Sequence, residues 1–331
     1  MQDFENQIVC GDCIVLLKKA EEPFADLVFA DPPFNIGFTY DRYKDDLEAE
    51  HYIDWTRDWM AECVRVLRPH GSLYIAIGDD FAADVRLIGR ELGLTLRNWI
   101  IWHYTFGQQT KMKFARAHTH VFYFVRDAKQ FTFNDWAVRV PSDRQLVYAD
   151  KRANPLGKLP DDVWNQYSRV CGTFLERQGW HPCQMPEILL ARIIAASSNP
   201  GDLVLDPFSG SGTTAAVARL MGRRYAGIDI SEDYVVNSRQ RIATIHESYS
   251  CDCGPVGSLD SLETLELRRL YAECGIELQS LLDDPKLMKL FCKQFSARMN
   301  NDKGYDPALI AEAVKKIAYY DLQSHTVTDL T

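Results

Sequence analysis

Apolar and polar residues form two kinds of segment along the first 130 positions and again over 187–246. Short apolar runs that end at turn residues predict strands, and longer stretches with apolar residues at helical spacing predict amphipathic helices. The regular alternation of the two predicts an α/β fold with a doubly wound, mostly parallel sheet. The predicted strands are 8–10, 26–30, 72–77, 94–102, 120–125, 203–205 and 225–230, and the predicted helices are 52–67, 81–92, 187–197, 213–221 and 232–246.

Two stretches interrupt this alternation. Residues 103–118 and 131–180 are rich in Gln, Lys, Arg, Asn and Pro with scattered aromatic residues. We predict that 103–118 is a long loop and that 131–180 is an irregular insert in a domain spanning 1–250. Beyond it, residues 258–331 form a helical region of unknown role, in which 259–282 and 307–320 are the clearest helices.

The composition is that of an ordinary globular protein. Apolar residues make up 46% and charged residues 25% of the 331 positions, and no apolar run approaches the roughly 18 residues of a membrane helix. The first residues lack the basic and apolar regions of a signal peptide. Nine cysteines without a partner pair at zinc spacing predict free thiols and no metal site. We expect a soluble, cytoplasmic protein.

The charge is unevenly distributed. The chain carries a net charge of -9, yet residues 97–180 hold 13 Lys and Arg against 7 Asp and Glu. Salt screens charges beyond about 8–10 Å, so a local basic surface can hold phosphate groups on an acidic protein. The alternative is a basic face that only contacts solvent.

A glycine-rich turn follows the predicted strand at 203–205. Asp206 leads into Pro-Phe-Ser-Gly-Ser-Gly-Thr-Thr at 207–214, and Asp229 lies 23 residues beyond Asp206 at the end of the next strand. Glycines let a ligand approach the backbone, and an acidic residue at this spacing can accept ribose hydroxyls. Asp206 suits a cationic amino group, which favours S-adenosylmethionine as the nucleoside ligand. The alternative is a turn that only packs a helix on the sheet.

A second motif, Asp31-Pro32-Pro33-Phe34, follows the buried run 26–30. Proline removes backbone N–H groups and leaves carbonyls as acceptors. The Asp31 carboxylate and a rigid carbonyl can hold both hydrogens of an exocyclic amine, while the Phe34 ring stacks on the base. Pulling the amine toward tetrahedral geometry returns its lone pair to nitrogen, which can then attack a methyl group. The alternative is a turn with an Asp cap and a core Phe.

Together the two motifs resemble those of the DNA amino-methyltransferases that modify adenine N6 or cytosine N4. The catalytic tetrapeptide precedes the cofactor loop by 175 residues, an order similar to the β group of the family. The resemblance covers 7–247 apart from the insert. It implies a Rossmann-like methyltransferase fold that binds S-adenosylmethionine and transfers its methyl group to a base flipped out of DNA, expected to be double-stranded.

The resemblance also implies roles for single residues. The segment His181-Pro-Cys-Gln-Met-Pro186 is similar to a family segment that opens a helix beside the cofactor, but Met185 replaces the usual Lys, so the role of that Lys is not carried over. The implied catalytic residues are Asp31, Pro32, Pro33 and Phe34. The implied cofactor-binding residues are Asp12, Asp206, Phe208, Ser209, Gly210, Ser211, Gly212, Thr213 and Asp229.

The target base and polymer are less constrained. In the family Asp at the first position of the tetrapeptide leans toward adenine, so Asp31 favours N6, with cytosine N4 as the alternative. An RNA substrate and a non-catalytic nucleic-acid-binding subunit stay open as well. We predict that residues 103–118 and 131–180 recognise DNA. Further candidate partners are a second copy of the chain, in a homodimer, and a cognate restriction enzyme. The predicted phosphate contacts are Lys111, Lys113, Arg116, Arg139, Arg144, Lys151 and Arg152, and the predicted base contacts are Gln108, Gln109 and Asn154.

Overall fold

A twisted central sheet organises the protein. The computed structural model describes residues 4–325 except 40, 42, 44, 109, 149, 172, 173, 175 and 302. Within these residues the sheet has eight strands in the order β1-β8-β7-β2-β3-β5-β4-β6. The strands are β1 (Gln7–Cys10), β2 (Ala25–Ala30), β3 (Leu67–Ile77), β4 (Thr95–Gln108), β5 (Arg116–Val125), β6 (Val163–Trp164), β7 (Leu203–Asp206) and β8 (Arg224–Asp229).

Helices follow most of the strands, and a small hairpin of β9 (Cys251–Asp252) and β10 (Ser258–Leu259) precedes the C-terminal helices. In the described part of the chain no helix is both long and apolar enough to span a membrane. The helices are α1 (Cys13–Leu17), α2 (Ala49–Val66), α3 (Ala82–Glu91), α4 (Asp135–Val138), α5 (Asp143–Leu146), α6 (Glu187–Ser197), α7 (Thr213–Leu220), α8 (Glu232–Thr244), α9 (Ser261–Cys274), α10 (Leu278–Asp283), α11 (Pro285–Met299) and α12 (Pro307–His325).

Helices cover both faces of the sheet, as the apolar pattern of β2 requires. Leu27 and Phe29 pack into the core shared with α6 and α7, while Val28 and Ala30 pack into the opposite core with α2 and α3. Successive side chains of a strand point to opposite faces, so a strand buried on both sides is apolar throughout. The predicted doubly wound α/β fold is confirmed.

The sheet is parallel except at β5, which pairs antiparallel with both β3 and β4. The strands β1, β8, β7, β2 and β3 are consecutive neighbours and run in the same direction. Their carboxyl ends therefore meet along one edge, where open α/β sheets bind ligands. Both sequence motifs begin at this edge.

The predicted loop over 103–118 is wrong for most of its length. Strand β4 continues to Gln108, β5 starts at Arg116, and His103 pairs with His118 across the hairpin. Buried Trp102 and Tyr104 alternate with exposed His103, which is the period-two pattern of a strand. The polar composition of the stretch masked this pattern.

The segment 131–180 holds only short elements among its described residues, namely α4, α5 and β6. It lies over α6 and against the C-terminal helices: α4 contacts both α6 and α11. The insert is therefore held between the sheet domain and the C-terminal region.

The predicted single helix over 259–282 is wrong as well. Helix α9 begins with a capping box, in which Asp260 accepts from the Glu263 N–H and Glu263 accepts from the Asp260 N–H. It ends at Cys274 because Gly275 adopts a φ of +60°, a left-handed conformation that stops a helix. Helix α10 then starts at Leu278. The C-terminal helices enclose a core of their own, which includes Leu270, Phe291 and Ile310.

Candidate active site

A cavity of about 640 Å³ opens at the carboxyl edge of the sheet. This volume lies within the roughly 300–1,000 Å³ range of small-molecule sites. Its walls bring together the tetrapeptide after β2, the glycine-rich loop after β7, the end of β8 and the turn after β1, which are far apart in sequence. The predicted catalytic residues and eight of the nine predicted cofactor-binding residues line it: Asp31, Pro32, Pro33, Phe34, Asp12, Asp206, Phe208, Ser209, Gly210, Ser211, Thr213 and Asp229.

The glycine loop is fixed by the two acidic residues that the sequence paired with it. Asp229 accepts hydrogen bonds from the N–H of Gly210 at 2.7 Å and from that of Ser231 at 2.9 Å. Asp206 accepts from the Phe208 N–H at 3.0 Å and from the Thr214 hydroxyl at 2.6 Å. Both carboxyl groups therefore shape the backbone of the loop as well as facing the cavity.

The positive φ angles of Gly210 and Gly212, +47° and +71°, explain why glycine occupies both positions. A Cβ at Gly210 would lie 2.8 Å from His181 Nε2, and one at Gly212 would lie 2.8 Å from the Cβ of Ser238. Gly212 is the one predicted cofactor-binding residue that does not line the cavity, and its lack of a side chain lets the loop pack on α8. The Ser238 hydroxyl donates to the Gly210 carbonyl at 2.9 Å and completes this packing.

Two further predicted cofactor residues have structural partners at the cavity wall. The Asp12 carboxylate accepts from the Val15 N–H at 2.9 Å and so caps α1. The Phe208 ring packs against Trp55 and Trp59, with ring centroids 5.6 and 5.2 Å away. The loop is therefore anchored to α2 by aromatic packing.

The tetrapeptide is held rigidly beside the loop. The Tyr52 hydroxyl of α2 donates to the Pro33 carbonyl at 2.6 Å. The next residue after Phe34, Asn35, has a φ of +57° and exchanges two hydrogen bonds with the backbone of Leu47. These contacts fix the direction of the chain as it leaves the tetrapeptide.

Burial controls the protonation of the two central carboxyl groups. Burial and, to a smaller extent, the Asp206 carboxylate raise the pKa of Asp31 to about 7, against the lowering effect of Arg169. Burial likewise raises the pKa of Asp206 to about 7, against the hydrogen bonds from Thr214 and the Phe208 N–H, which lower it. The neighbouring strands β2 and β7 place these two acids side by side, so the cavity favours a cationic group between them.

Arg116 reaches the cavity rim from the start of β5. A Cβ at Gly78 would lie 3.3 Å from Phe34 Cδ2 and 3.8 Å from Arg116 Nη1, so the ring and the guanidinium flank this glycine. Arg116 also pairs with Asp79 at 2.9 Å and with Asp80 at 3.1 Å. These two carboxylates position the guanidinium beside the predicted base-stacking ring.

Asp79, His118 and His120 place three ligand atoms within 4.8 Å of one another, a spacing that would suit a metal ion. The indole N–H of Trp99, which can only donate, lies 2.9 Å from His120 Nδ1. His120 Nδ1 therefore accepts, and Nε2 of the neutral ring carries the hydrogen toward Asp79 Oδ1 at 3.2 Å. With no lone pair left on that nitrogen, the cluster is better described as a hydrogen-bond network that holds Asp79 against Arg116.

The cavity also contains residues that the sequence motifs did not reveal. Arg169 comes from the insert, and its guanidinium lies 5.2 Å from the centre of the Tyr104 ring. His181 faces the glycine loop, where burial and, to a smaller extent, Arg241 lower its pKa to about 4. The sequence contained a signal for two of these residues: the period-two pattern around Tyr104 indicates a strand, and the family-like segment at 181–186 implies that His181 lies near the cofactor. The sequence contained no signal for Arg169, because only the tertiary fold brings the insert to the cavity.

The predicted phosphate contacts occupy different environments. Lys111 and Lys113 are exposed at the tip of the β4–β5 hairpin, next to Met112 and Phe114, which are 97% and 100% exposed. Arg139 is half-buried, donates to Asp135 and to the Gly157 carbonyl, and thus has a packing role. The remaining predicted contacts, Arg144, Lys151, Arg152 and the base-contacting Asn154, are exposed. Arg152 pairs with Asp150. Gln109 lies outside the described residues.

Met185, which replaces the Lys usual in the resembled segment, is buried at the cavity wall and packs into the core that contains α6 and α7. An apolar side chain at this position extends the core toward the cavity. At this position the cavity wall therefore has an apolar, packed side chain where a Lys would place a positive charge.

The chain is similar in sequence to known DNA methyltransferases. The chain is 40% identical over 245 residues to the DNA adenine methyltransferase YhdJ of Escherichia coli (strain K12), covering 71% of this chain and 82% of that protein. It is 37% identical over 239 residues to the type II methyltransferase M.HpaI of Haemophilus parainfluenzae, covering 72% and 74%.

Solved structures share the fold at lower identity. A putative DNA modification methylase from Thermus thermophilus, complexed with S-adenosyl-L-methionine, superposes with a TM-score of 0.53 at 23% identity, covering 77% of this chain and 97% of that one. The PvuII cytosine-N4-specific DNA methyltransferase gives 0.55 at 20% identity, covering 72% and 90%. The family profile described as DNA methylase matches residues 25–240. The chain therefore belongs to the N6/N4 DNA methylase family, as the order and content of its two motifs predicted.

Proposed function

We propose that the protein methylates the N6 amine of adenine in double-stranded DNA, with S-adenosylmethionine as methyl donor. The observation that carries the proposal is the convergence of Asp31, Phe34 and the glycine loop in one cavity. Asp at the first tetrapeptide position favours adenine, and a relative with 40% identity is named a DNA adenine methyltransferase.

The cavity fits the proposed cofactor. Asp229 lies at the end of β8, where it can accept ribose hydroxyls while it holds the Gly210 N–H. The Ser209 hydroxyl is buried without a hydrogen-bond partner among the described residues, and Ser209 lines the cavity. Asp206 faces the same space and would offset the charge of an ammonium group. When bound, S-adenosylmethionine supplies an electrophilic methyl group on its sulfonium.

The tetrapeptide then acts on the target amine. The Asp31 carboxylate accepts one amine hydrogen and the Pro32 carbonyl accepts the other, while the Tyr52 hydroxyl fixes the next carbonyl, that of Pro33. This grip favours a tetrahedral nitrogen with an available lone pair. The nitrogen–methyl bond forms as the sulfonium–methyl bond breaks, and Asp31 is basic enough, with a pKa near 7 from burial, to take the proton that the nitrogen loses.

The target base must leave the duplex to reach the cavity, at a cost of a few kcal/mol. Stacking on Phe34 recovers on the order of 1–3 kcal/mol of that cost. The β4–β5 hairpin extends from the cavity rim at Arg116 to an exposed tip with Lys111 and Lys113, where it can contact the backbone beside the flipped nucleotide. The fully exposed Phe114 and Met112 are apolar groups of the kind that insert between bases.

Methylation of defined DNA tests the proposal. The full chain is incubated with a duplex and isotopically labelled S-adenosylmethionine, and the digested nucleosides are analysed by mass spectrometry. Labelled N6-methyladenine is expected, whereas N4-methylcytosine would overturn the target base. A parallel RNA duplex is expected to remain unlabelled, and equal labelling would overturn the choice of polymer. A homodimer, a cognate restriction enzyme and a cytoplasmic location stay predictions.

A further inference from the structure

A second cavity of about 340 Å³ lies between the sheet and the insert, and it shares no lining residue with the active-site cavity. Tyr74 of β3 and Ile100 of β4 form its floor, and Ala196 of α6 forms part of its wall. Phe133, which precedes α4, and Trp164 of β6 also line the cavity. The surface is therefore largely aromatic and aliphatic.

One buried charged group lines this space, in addition to two exposed aspartates at its surface. The Arg192 side chain of α6 is only 3% exposed, and its Nε donates to Glu273 Oε1 at 2.9 Å. Its guanidinium carbon lies over the adjacent rings of Trp164 and Tyr167, 5.0 and 4.9 Å from their centres. In the part of the chain that the structure describes, both terminal nitrogens, Nη1 and Nη2, are buried without a hydrogen-bond partner. Unpaired buried donors of this kind are costly unless something accepts from them.

The hydrogen-bonded cluster behind the cavity also carries excess positive charge. Arg192, Arg269 and Arg298 all pair with Glu273, and Arg269 pairs in addition with Glu266 at 2.5 Å. Burial works to raise the pKa of Glu273, but the three guanidiniums outweigh it and lower the pKa, so this carboxylate is ionised. Three guanidiniums thus face two carboxylates.

We propose that this cavity binds a small organic carboxylate with a flat apolar body. Two parallel hydrogen bonds from the guanidinium fork match the geometry of a carboxylate. The aromatic lining would contact the rest of the molecule. Asp161 and Asp162, both exposed, line the cavity as well and disfavour a ligand with a second negative charge. A monoanion of modest size is therefore favoured over phosphate.

Thermal unfolding of the full chain tests the site without reference to methyl transfer. Benzoate is the probe, titrated at constant ionic strength, with chloride and inorganic phosphate in parallel. For the wild-type chain the melting temperature is expected to rise saturably with benzoate, by roughly 2–5 °C at high occupancy. No saturable rise, or an equal rise with phosphate or chloride, would overturn the assignment.

Two variants locate the effect. Ala196→Leu fills the cavity while keeping Arg192, and Arg192→Met removes the cation, so both are expected to weaken benzoate binding at least tenfold. Ala61→Leu on α2, remote from the cavity, is the matched control and is expected to respond like the wild type. Circular dichroism checks the fold of Arg192→Met, and Ala196→Leu decides the question if that variant unfolds. Retained stabilisation in a folded Ala196→Leu would overturn the site.

Discussion

At the residue scale, the active site depends on carboxyl groups whose chemistry is set by their neighbours. Asp31 and Asp206 end adjacent strands, and burial raises the pKa of each to about 7. In water such groups would be ionised well below neutral pH. The fold therefore keeps two basic carboxylates where a cationic cofactor and a proton-releasing amine are proposed to meet.

The first prediction concerns Asp31. Asp31→Ala removes the acceptor for the target amine but leaves the glycine loop and Asp229 in place. We expect methyl transfer to fall by roughly 10²–10⁴-fold, while affinity for S-adenosylmethionine changes little. Calorimetry and a transfer assay on one preparation make the comparison. Substantial residual turnover would contradict the proposed role.

The second prediction concerns Arg169, which lowers the pKa of Asp31. Arg169→Ala removes this charge, so the pKa of Asp31 should rise and less of it should be ionised near pH 7. We expect the acidic limb of the kcat/KM profile to move to higher pH by about half a unit, a modest shift because the exposed guanidinium is partly screened. Arg169→Lys should restore the profile, and an unchanged limb in Arg169→Ala would show that Arg169 does not act through Asp31.

At the element scale, the glycine loop is supported on two sides. Strand β8 supplies Asp229, and α8 supplies Ser238 and Arg241, whose guanidinium donates to the Ser211 carbonyl at 2.8 Å. The loop therefore keeps its left-handed glycines in place through contacts from elements that follow it in sequence. A side chain that intrudes here has no space to move into.

Gly210→Val provides the third prediction. The added side chain meets His181 Nε2 at the cavity wall and enforces strain at a φ of +47°. We expect S-adenosylmethionine binding to be lost. Gly222→Val is the matched control, since Gly222 has a φ of +71° but no atom within 4 Å of an added Cβ. Equal losses of affinity in the two variants would attribute the effect to backbone strain alone.

At the scale of the whole molecule, we propose that this acidic protein binds DNA through the basic tip of the β4–β5 hairpin. The chain carries a net charge of -9, while the hairpin tip presents exposed Lys111 and Lys113 next to two exposed apolar side chains. Because salt limits the reach of the distant acidic surface, the local charge can dominate at contact distance. Binding should therefore depend strongly on salt.

The fourth prediction tests this surface. Reversing Lys111 and Lys113 to Glu should weaken binding to all sequences alike and make the log–log salt dependence shallower by about 0.9 for each phosphate that is no longer neutralised. The preferred methylation site should be unchanged. Reversing Lys315 and Lys316 on α12 is the control and should have much less effect. Equal losses from the two pairs would move the DNA surface away from the hairpin.

Much of the fold and the centre of the site could be predicted because their signals are local. A strand buried on both faces is largely apolar, as residues 27–30 are, and a tight turn beside a ligand needs glycine, as at Gly210. Asp31 and Asp206 stand at predicted strand ends, so their shared edge followed from a parallel sheet. These features depend on a few residues that are neighbours in the sequence, so they can be predicted from sequence patterns.

Other features depend on which distant segments become neighbours, and only the tertiary structure decided them. The 103–118 stretch became a hairpin because β5 inserts antiparallel between β3 and β4. Arg169 reached Asp31, and Arg139 was drawn into packing, because the insert folds back between the sheet and the C-terminal helices. The environment of Arg192, whose Nε pairs with Glu273 while Nη1 and Nη2 have no hydrogen-bond partner among the described residues, likewise arises from contacts across three regions of the chain. Residue types set the chemistry available at each position, but long-range packing determines burial and partners, and these determine which charges remain to act on a ligand.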